Sequence, residues 1–192
     1  YAPALDDARE AGVAHWSQTD VVTLLQSGRN AHASVSGPMA SVVAGNTQHL
    51  TDADLQALAT FLRTLPQRRT TTPAHQAAAA AQRELGAKRY EQHCANCHGE
   101  QGEGSPSVAP ALRGNRAVVM DMPDNIIRVV LGGGYGPATA ANPRPHGMPP
   151  FAIALSNEDV AAVVTFIRSA WGHEASAVNS VAVDRQRGGA AR

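Results

Sequence analysis

In Cys94-Ala95-Asn96-Cys97-His98, two cysteines stand three positions apart and a histidine follows the second. On one helical turn that spacing lets both thiols reach the two vinyl groups of a single porphyrin, and it is the pattern by which haem is attached covalently. A histidine directly after the second thioether lies under the ring with a nitrogen available to iron. Structural zinc sites take four protein ligands, and this chain has no third cysteine. A thioredoxin-type dithiol would end a strand in an α/β pattern that is not seen here. The expectation is one haem, held through Cys94 and Cys97 with His98 as an axial ligand.

The residues before the motif read as a helix capped by Thr72, with Pro73 in its first turn and an alanine run leading to the cysteines. Gly86, Tyr90 and Cys94 recur every four residues and share one face. A glycine inside a helix costs about 1 kcal/mol against alanine. A close crossing by the helix expected over 160–171 would account for Gly86. After the motif, 99–110 reads as a loop and 124–131 as a short amphipathic helix ended by Gly132-Gly133-Gly134. Residues 137–150 read as a long extended loop. No stretch has a β-strand pattern, so the class is all-α. Beyond Gly172 the polar, arginine-bearing tail is expected to fray.

A repeat sets the domain organisation. Ala2-Pro3-Ala4-Leu5 returns as Ala109-Pro110-Ala111-Leu112, and Thr19-Asp20-Val21-Val22-Thr23-Leu24-Leu25 has the polarity pattern of Asp124-Asn125-Ile126-Ile127-Arg128-Val129-Val130. Leu50-Thr51-Asp52-Ala53-Asp54-Leu55 matches Leu155-Ser156-Asn157-Glu158-Asp159-Val160, and Gly37-Pro38-Met39 resembles Gly147-Met148-Pro149. Thr51 and Ser156 each precede an acid by three residues, the mark of a helix start. Two copies of one unit are therefore expected, the first without its opening. The expected bounds are a truncated copy over 1–66 that lacks the cysteine motif, a linker over 67–72, a complete domain over 73–174 and a polar tail over 175–192. The equivalent motif of the first copy would fall roughly a dozen residues before Tyr1. With neither methionine nor a signal-peptide pattern at its start, the chain reads as a processed product or a fragment.

The second axial ligand decides between electron transfer and gas or peroxide chemistry. Met148 stands in the proline-flanked His146-Gly147-Met148-Pro149-Pro150 and is favoured, with His146 as the rival; Met120 and Met122 precede a helix and read as core packing. With both faces of the iron filled, the site would move electrons. The alternative is a haem-based gas sensor or a peroxidase-like haem enzyme with a displaceable Met148.

The 192 residues carry a formal net charge of zero, which argues against a nucleic-acid binder. There is no nucleotide fingerprint and no evident triad, so substrate chemistry in this chain is not expected. No apolar run reaches the length of a membrane-spanning helix.

These residues resemble the multi-haem cytochrome c subunits of bacterial periplasmic, membrane-associated dehydrogenases for alcohol, aldehyde and gluconate, and of nicotinate-type molybdenum hydroxylases. The match runs over most of residues 1–173. It is sharpest at Ser36-Gly37-Pro38-Met39 with Thr47-Gln48-His49-Leu50, and at 142–151, Asn-Pro-Arg-Pro-His-Gly-Met-Pro-Pro-Phe. The resemblance implies a class I cytochrome c fold, thioethers at Cys94 and Cys97, and His98 and Met148 on the iron. It also implies a Pro110 carbonyl orienting His98, and Met39 as the ligand of a second haem, although residues 1–93 contain no cysteine. Its partners would be a dehydrogenase catalytic subunit and a downstream acceptor, quinone or a terminal oxidase. The location would be the periplasm, with peripheral membrane association through the complex.

Overall fold

The cap residues set the helix starts. Ser17, Thr51, Asn115 and Ser156 each accept a backbone N–H from the first turn that follows, which satisfies a donor the helix leaves unpaired. The computed structural model describes residues 1–68, 74–105 and 108–189. In order come α1 (Gln18–Ser27), α2 (Pro38–Gly45), a 3-10 turn (Thr47–His49), α3 (Asp52–Thr64), α4 (Ala80–His93), α5 (Ala95–His98), α6 (Arg116–Val119), α7 (Asp124–Gly132), α8 (Asn157–Ser169) and α9 (Ser180–Gly189). Two strands of two residues, β1 (Gly134–Tyr135) and β2 (Gly147–Met148), pair antiparallel. The architecture is helical, as expected. The ladder was not, because strands of two residues carry no periodicity.

Two apolar clusters organise the chain. Val13, Trp16, Val21, Leu25, Leu55 and Ala59 form the first, between α1 and α3. The second is larger and gathers Tyr90, Ile127, Leu131, Val160, Val164 and Ile167 from α4, α7 and α8. α4 crosses α8 at Gly86, where an added Cβ would strike the Ala162 carbonyl oxygen and lie 2.7 Å from the Phe166 Cβ. The expected close crossing is present. Tyr90, Phe166 and Trp171 stack their ring edges beside it, with centroids 5.1–5.6 Å apart.

The two halves meet at α6, at the start of α7 and at 138–140, where Gln48 bonds the backbone. The Arg116 guanidinium lies 4.5 Å over the Trp16 ring and donates to the Gly12 carbonyl. The Tyr1 ammonium donates to Asn125 Oδ1 at 2.9 Å.

Two expectations need correction. The cap at Thr72 and Pro73, and most of the linker, lie outside the described residues, but α4 begins only at Ala80. Residues 74–79 are not helical; Gln76 instead bonds the tail, donating to Ser176 Oγ and accepting from the Ala177 N–H at 2.9 Å. The tail over 175–192 is also not simply frayed. Val178 and Val183 are buried in the second cluster, and Arg187 donates to the Ala152 and Leu155 carbonyls and to Asn157, which docks α9 on the core. Val178, Val181 and Val183 do not share one helical face, and Val181 is exposed, so the residues alone do not announce a docked helix.

Candidate functional site

Cys94 caps the end of α4, and the next turn, α5, is built on that residue's carbonyl, which accepts from Cys97 N–H at 3.1 Å and His98 N–H at 2.9 Å. Both cysteines and the histidine therefore leave one turn together. Cys94 is half-buried against the second cluster and Cys97 is exposed; neither is in a disulfide. Burial, with Cys97 nearby, pushes the Cys94 thiol up to about 11. Reactive dithiols have depressed pKa values, so this environment does not suit a redox dithiol. Tyr90 supports the turn from α4 by donating to the Gly99 carbonyl at 2.6 Å.

His98 Nδ1 lies 2.9 Å from the Pro110 carbonyl. A carbonyl only accepts, so Nδ1 carries the proton and Nε2 is the nitrogen left for a metal. Burial lowers the His98 pKa, against the opposing effect of the Pro110 bond. The strap bearing Pro110 is tied back to the motif: Gly104 N–H donates to the His98 carbonyl at 2.7 Å, and Leu112 and Arg113 N–H donate to Gly102. Gly102, at φ 66, has the Trp171 ring where a Cβ would point, 2.5 Å away. Larger residues are excluded at this position.

Met148 is half-buried and packs on the same cluster as Cys94. Its backbone pairs with Gly134. Just beyond the ladder, Phe151 and Ala152 donate to the Val130 and Leu131 carbonyls, both at 3.1 Å, which caps the end of α7. The backbone that carries the thioether is thus anchored on both sides. Gly133, at φ 64, has the Met148 carbonyl where a Cβ would sit. Sequence reasoning took the triple glycine only as a helix stop; its second role is this close approach.

The other candidates are placed differently. His146 is exposed, Met122 is 48% exposed and Met120 is half-buried with its Sδ 3.7 Å from the Tyr1 hydroxyl. Met122 is therefore not core packing. Met39 sits 39% exposed in the first turn of α2, not in a ladder like that of Met148.

The donor set is two thiols on one turn, one imidazole nitrogen and one anchored thioether, and these residues fit a covalently held haem. Among the described residues no group of three or more His, Cys, Asp or Glu is placed to hold a bare metal ion.

A family model for cytochrome c matches residues 83–171, which span the motif, the strap and Met148. Cytochrome c-552 of Thermus thermophilus is 34% identical over 90 residues, which cover 68% of that protein and 45% of this chain. The chain belongs to the cytochrome c family. Its matched region is the half built on α4 and α8. Longer similarities bring in the other half of this cytochrome. The alcohol dehydrogenase (quinone) cytochrome c subunit of Gluconobacter oxydans (strain 621H) is 38% identical over 185 residues, covering 91% of this chain and 38% of that protein. The fructose dehydrogenase cytochrome subunit of Gluconobacter japonicus is 29% identical over 215 residues, 98% of this chain and 44% of that protein. The chain thus spans about two fifths of the length of these two relatives.

Proposed function

We propose that this cytochrome is a single-electron carrier serving a dehydrogenase, with one haem c joined to Cys94 and Cys97. When bound, haem c supplies a one-electron couple between ferric and ferrous iron. His98, fixed in its tautomer by Pro110, and Met148 would be the side chains that hold its iron. The anchoring of Met148 by β1 and by the end of α7 carries the reading most heavily. A thioether on a backbone held at both ends has little room to swing away, which favours electron transfer over gas sensing or peroxidase-like chemistry. The catalytic step would lie in a partner subunit, and the electron would pass on to quinone or a terminal oxidase. This assembly is proposed to work in the periplasm, associated peripherally with the membrane through its partners; among the described residues no helix is long and apolar enough to cross a membrane.

The same reading makes residues 1–66 the closing part of a preceding cytochrome c domain, a linker over 67–72 and a complete domain from 73. It leaves Met39 as the ligand of a haem whose cysteines are not in this sequence. The paired caps at Thr51 and Ser156 and the two helix pairs, α1 with α3 and α7 with α8, support it.

Carbon monoxide provides the test. The matured cytochrome should keep a low-spin spectrum under the gas, and Met148→Ala should bind it readily. A wild-type spectrum that responds at once would overturn the electron-transfer reading.

A further inference from the structure

One group of cross-half contacts falls at the end of the strap that holds His98. Asn115 is 5% exposed and uses its whole side chain: Nδ2 donates to the Ala111 carbonyl at 2.9 Å and to Ser34 Oγ at 3.1 Å, and Oδ1 accepts from the Ala117 N–H at 3.0 Å. Ala111 directly follows Pro110. Beside Asn115, Arg116 donates its N–H to the His32 carbonyl at 2.8 Å and its guanidinium to Gly12, over the ring of Trp16. His32 lies against the other side of this cluster, its ring centroid 5.1 Å from that of Trp16. Residues 12–34 thus grip the strap through hydrogen bonds.

Packing holds one side of the strap, where Ala109 is buried and Leu112 touches the second cluster, and leaves the other side open. A cleft of about 330 Å³ lies between Arg29, Asn30 and Ala33 on one side and Ala109, Pro110 and Ala111 on the other. The strap has room to move on this face, so its polar ties decide where the Pro110 carbonyl stands.

We infer that Asn115, braced by Ser34 of the first half, is a positioning residue that sets the Pro110–His98 hydrogen bond and so lets the first half tune the electron-transfer centre of the second. The inference rests on the function proposed above. A stronger bond from Nδ1–H makes the imidazole a better donor and favours ferric iron. Loosening the strap should therefore raise the reduction potential.

The experiment compares wild type with Asn115→Ala, Asn115→Asp and Ser34→Ala in the matured full chain, reading haem content by intact mass, the potential, and solvent exchange of the His98 Nδ1 proton by NMR. Asp keeps the helix cap but cannot donate to Ala111, so it separates capping from clamping. All three variants should retain the haem, and Asn115→Ala and Ser34→Ala should show a raised potential; in Asn115→Asp the added charge opposes that rise, so proton exchange is its readout. Exchange should be faster, on the order of tenfold for the Asn115 variants and less for Ser34→Ala. Should Asn115→Ala fail to fold, Ser34→Ala, which removes one bond, still decides. Exchange equal to wild type in Asn115→Asp, with potential and exchange equal to wild type in Ser34→Ala, would overturn the clamp. If wild type carries no covalent haem, the proposed function fails instead; the exchange comparison still tests the clamp, because His98 meets Pro110 in the haem-free chain.

Discussion

α3 and α8 are built alike and treated differently. Leu55 and Ala59 are fully buried in the first half, as Val160 and Val164 are in the second, and both helices begin on a hydroxyl cap with an aspartate three residues on. Their outer faces diverge. Phe166 stacks with Tyr90 and Trp171 beneath α4, whereas Phe61, at the matching place in the repeat, is 60% exposed. The inward stripe of each closing helix needs only its neighbour, α1 or α7. The outer stripe needs an opening helix of the α4 kind, and among the described residues Phe61 has none.

The sharpest contrast expected between the halves lies in the arginines that end these helices. Arg168 is 1% exposed, and its guanidinium donates to the carbonyls of Val118, Met120 and Ser176. Burial lowers its pKa. Arg63, its counterpart, has an Nε with no hydrogen-bond partner among the described residues. Arg168→Met should cost about 3 kcal/mol in urea unfolding, since three carbonyls lose a charged donor, and Arg63→Met less than about 1. Equal losses would break the comparison.

The helix crossing comes next. Gly86→Val forces a side chain against the Ala162 carbonyl and should cost about 1–3 kcal/mol by overpacking. Phe166→Ala should cost about 2–3 kcal/mol and Phe61→Ala about 0.5 or less. A large loss at Phe61 would mean that its face is covered in solution.

Much of this was legible in the residues. The cysteine–histidine motif is local chemistry, and the caps at Thr51 and Ser156 are local hydrogen bonding, so both can be read without tertiary structure. Gly86 was readable because a glycine at a costly position points to a close neighbour. The β1–β2 ladder was not: its register depends on residues 134 and 148 meeting, and two-residue strands have no period. The docking of α9 was also hidden, because Arg187 finds its carbonyl partners at Ala152 and Leu155, more than 30 residues away. Asn115 looked like any polar loop residue, since its partner Ser34 belongs to the other half.

Asp159 supplies a smaller, pH-dependent effect. Burial alone would raise its pKa, but hydrogen bonds from Arg89, at 2.7 Å, and Ser156 outweigh it and the net shift is downward. A carboxylate depressed in the folded state adds stability above its unfolded pKa of about 3.9, and that stability is lost as pH falls through the folded value. Asp159→Asn should lower stability at pH 7 by about 1 kcal/mol or less and shallow the acid-unfolding slope below about pH 4, followed by circular dichroism. An unchanged slope would show that the Arg89–Asp159 tie between α4 and α8 contributes nothing to acid stability.

The smallest difference between the halves should lie at their helix caps. Thr51→Ala and Ser156→Ala each remove an N-cap and should each cost about 1 kcal/mol. A clear excess at Ser156 would credit its complete capping box, in which Asp159 also accepts from the Ser156 N–H at 3.1 Å.

Intact mass of the chain, matured where haem can be attached, tests the central claim most directly. The two cysteines of this sequence both lie in the motif, so the account predicts one covalently added haem, lost when Cys94 and Cys97 are both changed to alanine. An unmodified mass, or a haem that survives the double substitution, would contradict it.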